Sequence, residues 1–309
     1  MPSLAPSEPR GPERRPPAVD LGMLLVVLIW GANFSVVKAA FSQIPPLPFV
    51  ALRFGLGSLC LAAILRWREA PLRLPREHWR RLVWLGLVGN TLYQTLFVCG
   101  LARTTAANSA LLLATTPAVV ALLGGLTGVE RVTRRAGGGV TLALGGITLV
   151  MAARGAALSR QTLAGDLLTL AGVVCWSAYV LGVRSLATRL SPLRVTALSL
   201  FTGTPGLLLV GLPGLANLEW GAVGGRAWLG LAYATLPSLV LSYLLYNRSV
   251  QRLGGVQATV YTCATPLVAS LAAWAILGER PVPLQAAGAA LIIAGVLLTR
   301  DRDTRTEHG

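Results

Sequence analysis

Residues 20–38 read DLGMLLVVLIWGANFSVVK, and residues 166–184 read DLLTLAGVVCWSAYVLGVR. Each stretch opens on an aspartate, carries a tryptophan in its apolar middle and ends on a cation. Asp20, Trp30 and Lys38 stand against Asp166, Trp176 and Arg184, all 146 positions apart. Working outward, Pro117, Glu130 and Arg131 recur 149 positions later as Pro266, Glu279 and Arg280. Aligned without gaps, 107–150 and 256–299 share ten identities in 44 positions. Trp84-Leu85-Gly86-Leu87 also recurs as Trp228-Leu229-Gly230-Leu231. An internal repeat of apolar segments is a mark of secondary transporters, whose substrate path lies between two related halves.

The 309 residues are 54% hydrophobic and only 13% charged, with a mean hydropathy of +0.64. A soluble chain is about a quarter charged, so the bilayer is the natural solvent for this one. The net charge of +15 does not indicate nucleic-acid binding, because the basic residues sit in short loops and tails and share no surface with aromatic partners. Cys60, Cys99, Cys175 and Cys263 each fall inside an apolar segment and form no CxxC pair; they read as small buried hydrophobes. The two histidines, His78 and His308, lie in a loop and a tail. No metal site and no cofactor are expected from this inventory.

Ten segments are apolar enough to span a membrane: 21–41, 47–65, 82–101, 107–127, 136–153, 165–183, 193–212, 227–247, 256–277 and 283–299. The expected fold is therefore all-α and integral to the membrane. With the N-terminus cytoplasmic, 20 basic residues fall in inside loops and tails and 5 in outside loops. That bias places both termini inside. Ten helices divide into five and five, and an odd unit must enter the bilayer the opposite way the second time. The two repeats are thus inverted. Residues 1–18 read as a disordered, Pro-rich cytoplasmic tail, 19–153 and 154–299 as the repeats, and 300–309 as a second cytoplasmic tail. The first apolar segment is too long for a signal-peptide core and reads as a retained helix. Many arginines beside one lysine suggest a high-GC genome and a bacterial inner membrane.

These features resemble the drug/metabolite transporter superfamily, and within it the EamA-domain family of ten-helix permeases. The resemblance is carried by Trp30-Gly31-Ala32-Asn33-Phe34 with Lys38, and by Arg53-Phe54. Thr116-Pro117 leading to Glu130-Arg131, and Thr265-Pro266 leading to Gly278-Glu279-Arg280 and Gly288, add to it. It covers about residues 20–299. The resemblance implies two five-helix repeats around a central cavity, alternating access and, by analogy, export. It names no substrate. Arg53 departs from the repeat, since Ser199 stands at its counterpart.

Charges within a bilayer are costly and invite a functional reading. Arg53 has three: it binds a substrate carboxylate, pairs within the bundle, or snorkels to the interface. Lys38 and Arg184 read as snorkelling near helix ends, and Asp20 and Asp166 as helix caps. No Asp or Glu is expected in mid-membrane, so a coupling scheme built on a central carboxylate has no residue to use. A neutral polar pathway suits zwitterionic or uncharged solutes. Its expected lining is Trp30 and Asn33 on the first helix, Arg53 on the second, and Asn90 and Gln94, with Phe97, on one face of the third. Trp176 and Tyr179 on the sixth, Tyr243 on the eighth and Tyr261 on the ninth complete it. For each single residue the alternative is an interhelical hydrogen bond worth about 0.6–2 kcal/mol. Pro117 and Pro266, expected in mid-helix, are candidate hinges. Ala286, Ala290 and Ala294, with Gly139, Ala143 and Gly146, read as close-packing stripes within the chain or at a dimer face.

The function expected is a permease, monomeric or homodimeric, that moves a small metabolite, an amino acid or related compound, across the plasma membrane. The partners expected are that solute and the lipid bilayer. Two alternatives stay open: an integral-membrane enzyme acting on a lipid or isoprenoid, and a membrane sensor without transport. The first lacks an acid/base cluster of recognised spacing, and the second lacks a sizeable soluble domain.

Overall fold

The computed structural model describes residues 21–69, 76–127, 134–152, 160–186, 189–253, 258–259, 261–280 and 282–299. Asp20, Glu130, Arg131, Pro281 and both tails lie outside the described residues. Helices account for nearly all of the rest: α1 Leu21–Ala40, α2 Pro46–Arg68, α3 Trp79–Arg103, α4 Ala106–Leu126, α5 Arg134–Ala152, α6 Arg160–Ser185, α7 Pro192–Ala216, α8 Gly225–Leu253, α9 Thr262–Leu277 and α10 Pro283–Thr299. Among the described residues, seven are long and apolar enough to cross a membrane: α1–α4 and α6–α8. The expectation of ten spans is met only to that extent. α9 and α10 are shorter.

The strongest helix packing joins α5 to α10, α2 to α7, α3 to α6 and α1 to α9. Glycines make the closest approaches. A Cβ on Gly146 would stand 2.7 Å from Gly288 O, and one on Gly295 would stand 2.5 Å from Gly139 O. The α5 stripe of Gly139, Ala143 and Gly146 thus packs within the chain. Its partners on α10 are Gly288, Ile292 and Gly295, whereas Ala286, Ala290 and Ala294 face outward. In the absence of a hydrophobic force between helices in lipid, backbone contact of this kind supplies the packing energy.

Residues and their repeat counterparts meet in the centre. Trp30 and Trp176 have ring centroids 5.9 Å apart, Ser58 Oγ lies 2.6 Å from Thr204 Oγ1, and Gln94 donates to the Tyr243 hydroxyl at 3.0 Å. The helix irregularities also recur: α3 widens to a π-helical stretch at Gly86–Leu92 and α8 at Leu236–Leu241. These begin 150 positions apart, so the Trp84/Trp228 match, 144 apart, falls out of register with them.

Pro117 and Pro266 do not stand in mid-helix. α4 breaks at Ala114-Thr115 and resumes at Thr116, and α9 passes from a single 3-10 turn into a helix at Thr265. Each proline is the second residue of the resumed helix. There its missing N–H leaves no intrahelical bond unmade. The carbonyls of Leu112, Leu113 and Thr259 accept from the hydroxyls of Thr115, Thr116 and Thr262.

Asp166 does not cap α6 either. That helix begins at Arg160, so Asp166 is nearly two turns inside it. It is fully buried and accepts from Thr104 Oγ1 at 2.6 Å.

Candidate functional site

The irregular stretch of α8 builds the centre of the bundle. Pro237 has no N–H to give, and the Ser242 N–H bonds Pro237 O and Leu239 O, passing over Ser238 O. That carbonyl accepts instead from Trp30 Nε1 at 3.0 Å. One turn earlier, Ala234 O accepts from Arg53 Nε at 2.8 Å, and Ser238 Oγ accepts from Arg53 Nη2 at 3.1 Å. The widened helix thus holds one side chain from α1 and one from α2.

A cavity opens beside these contacts at mid-depth, with about 60 Å³ open to the centre of a water molecule. α1 lines it with Trp30, Asn33 and Phe34, α2 with Arg53, and α3 with Tyr93, Gln94 and Phe97. α4 adds Leu113, Ala114 and Thr116 at its break, α6 adds Trp176, α8 adds Ser238 and Tyr243, and α9 adds Thr262 and Thr265. Of the residues expected in a binding site, Trp30, Asn33, Arg53, Gln94, Trp176 and Tyr243 come together here.

Asn90, Tyr179 and Tyr261 lie outside the lining. The i, i+4, i+7 pattern that grouped Asn90 with Gln94 and Phe97 assumes 3.6 residues per turn. The π stretch Gly86–Leu92 breaks that period. Asn90 is turned towards α7, where a Cβ on Gly203 would meet its own Cβ at 2.7 Å. Tyr179 stands behind the lining: its ring stacks on Trp176 at 4.9 Å, and its hydroxyl accepts from Asn247 at 2.9 Å. Tyr261 packs half-buried against the main core.

Sequence reasoning missed Phe34, Tyr93, Leu113, Ala114, Thr116, Ser238 and Thr265. For Thr116 and Thr265 a signal existed, since the repeated Thr-Pro pair marks both helix breaks. Nothing in the sequence marks Ser238, whose position follows from the π stretch.

Geometry removes one of the three readings of Arg53. The residue is 2% exposed, which excludes snorkelling. No Asp or Glu among the described residues stands within ion-pair distance of it. Two of its nitrogens bond α8, and Nη1 has no hydrogen-bond partner among the described residues. A buried guanidinium left partly unpaired is costly, and it borders a cavity.

The rest of the lining is aromatic and uncharged. Trp176 meets Tyr93 at 5.0 Å and Tyr243 at 5.5 Å between centroids, and Trp30 meets Tyr243 at 6.0 Å. Beyond Phe34, one turn along α1, Lys38 is not a free interfacial cation. It forms an ion pair with Glu279 at 3.2 Å and donates to Thr104 O. Glu279 in turn accepts from the N–H groups of Ala106 and Ala107 at 3.1 and 3.3 Å. Its carboxylate thereby caps α4 and ties α1, α4 and the end of α9 together above the cavity.

A multi-helix membrane bundle around a central polar-aromatic cavity, with paired irregularities in two halves, has the architecture of a solute transporter. The chain matches the EamA-like transporter family over residues 18–152 and again over 163–300, and it belongs to that family. An uncharacterized transporter of Bacillus subtilis (strain 168) is 28% identical over 86% of this chain and 88% of its own length. A probable terminal-alkyne amino-acid exporter of Streptantibioticus cattleyicolor is 29% identical over 91% of this chain and 92% of its own. One solved crystal structure aligns at a TM-score of 0.64 and 21% identity, over 90% of this chain and 95% of that one, a likeness of fold. This is a multi-pass membrane protein of a transporter family.

Proposed function

We propose that the protein exports an amino acid or related carboxylate-bearing metabolite across the bacterial inner membrane by alternating access. It has ten spans in two inverted five-helix repeats and keeps both termini in the cytoplasm. Residues 19–153 form the first repeat and residues 154–299 the second. Support for the repeat comes from the counterpart contacts Trp30–Trp176, Ser58–Thr204 and Gln94–Tyr243. Export rests on analogy with the amino-acid exporter of Streptantibioticus cattleyicolor. The substrate side of the proposal is carried by one observation: Arg53 is a buried cation on the cavity wall with an unpartnered Nη1 and no carboxylate of the described chain beside it. A carboxylate of the solute completes that guanidinium through charge-assisted hydrogen bonds.

The test is counterflow of labelled amino acids in proteoliposomes, with and without a proton gradient. Counterflow of at least one is expected. Arg53→Gln is expected to reduce it by tenfold or more, and Arg53→Lys, which lacks the planar fork, to restore it only in part. Full counterflow by correctly folded Arg53→Gln would remove the carboxylate reading. No flux of any amino acid would move weight to the enzyme or sensor alternatives.

A further inference from the structure

Apart from Arg53, the cavity leaves acceptors without donors. Asn33 and Gln94 are 5% and 3% exposed, both line the cavity, and Asn33 Oδ1 and Gln94 Oε1 have no hydrogen-bond partner among the described residues. Gln94 is oriented by Tyr243, whose hydroxyl takes its amide N–H at 3.0 Å, so its oxygen is the end left unpaired. The rings of Trp30, Tyr93, Trp176 and Tyr243 border the same space. Trp30 and Trp176 meet edge-on at 77°, an arrangement that leaves ring faces turned in different directions. Among the described residues, no carboxylate lines the cavity.

A solute that is only an anion satisfies Arg53 and leaves both amide oxygens desolvated and unpaired. A solute that is only a cation meets the oxygens and rings but confronts the buried guanidinium. A zwitterion satisfies both sets, because aromatic faces and neutral oxygens stabilise an ammonium group without adding a fixed negative charge that would pair with Arg53 instead.

We propose that the cavity selects zwitterionic α-amino acids by reading both poles, the ammonium group being taken by Asn33, Gln94 and the faces of the central aromatic rings. This rests on the Arg53 carboxylate reading and extends it to the other end of the solute.

The experiment is binding to the purified full chain in detergent, read as ligand-induced shift in thermal unfolding and as competition in counterflow. Four trios serve as probes: alanine, lactate and ethylamine; leucine, 2-hydroxyisocaproate and isoamylamine; phenylalanine, phenyllactate and phenethylamine; tyrosine, 4-hydroxyphenyllactate and tyramine. In at least one trio the amino acid is expected to bind tenfold or more tightly than both analogues. A hydroxy acid that matches its amino acid in every trio that binds overturns the ammonium site and leaves Arg53 standing. An amine that matches its amino acid overturns the Arg53 reading. Binding in no trio overturns both. Asn33→Ala and Gln94→Met are then expected to collapse the preference for amino acid over hydroxy acid towards unity while hydroxy-acid binding persists, which also reports that the variants fold. Preserved preference in both variants would overturn the assignment of these two residues.

Discussion

At the scale of single residues, burial sorts positions that sequence alone treats alike. Arg53 and Lys38 are both cations within apolar segments. Arg53 is buried and lacks an acidic partner among the described residues, whereas Lys38 is matched to Glu279. Glycines divide in the same way. A Cβ on Gly89 would lie 2.1 Å from the Tyr179 ring, while one on Gly145 meets nothing within 4 Å. Gly89→Ala must displace the ring that supports Trp176. It is expected to lower stability by about 1–3 kcal/mol, the usual cost of overpacking, and to weaken solute binding. Gly145→Ala is expected to leave stability unchanged or raise it by up to about 1 kcal/mol through helix propensity. Thermal unfolding of the two variants in one detergent is the check, and equal midpoints would refute the Gly89 contact. Asn90 shows the limit of residue-level reading. Its type was a good guess for a cavity and its depth is right, but the direction of its side chain depends on a helix irregularity two turns long.

At the scale of elements, the irregular stretches position the site, and an ion pair ties helix ends together beyond it. The π stretch of α8 frees Ser238 O for Trp30 and places Ser238 Oγ against Arg53. The breaks in α4 and α9 bring Thr116 and Thr265 to the wall. Pro117 and Pro266 sit where these helices resume, and each remains a candidate hinge of the proposed cycle. Replacement of either by Ala is expected to alter the balance of inward and outward accessibility; unchanged accessibility and transport would make both static. Lys38 and Glu279, with side chains 25% and 17% exposed, hold the end of the bundle next to Phe34. A pair of this exposure contributes about 0.2–1 kcal/mol, enough to bias an opening equilibrium up to about fivefold. Glu279→Gln also weakens the α4 cap. In a chain with its four cysteines replaced, Phe34→Cys combined with Glu279→Gln is therefore expected to react about two- to fivefold faster with an impermeant thiol reagent. Exchange of the two charges is expected to slow it again. Equal rates in all three would show that the pair closes nothing.

At the scale of the whole molecule, the two halves are related by sequence offsets that reappear as contacts. The proposed inversion of the halves makes a prediction about sidedness. Cysteines at Ser42 and Asn217 are expected to react from outside intact cells, and those at Glu77 and Arg189 only after permeabilisation. Labelling of all four from one side would refute the inverted arrangement. Much of this level was legible in the sequence, because the bilayer demands long apolar helices with internally satisfied backbones, and because arginine placement and repeat offsets need no tertiary information. The membrane class, the transporter family and the two-part build of the chain follow from those features. The sequence also points to Trp30, Asn33, Gln94, Trp176 and Tyr243 as cavity-facing, since polar and aromatic residues deep in a span face the bundle, whereas only burial removed the snorkelling reading of Arg53. Tertiary structure alone decided the rest. It turned Asn90 and Tyr179 out of the lining, moved Asp166 from a cap to a buried contact, and recruited Ser238. It also left Arg53 without an acidic neighbour within the described chain. The physical reason is that helical phase is set by local π and 3-10 distortions, and ionic partners by packing between distant segments. Neither is encoded by hydropathy or by a regular period of 3.6.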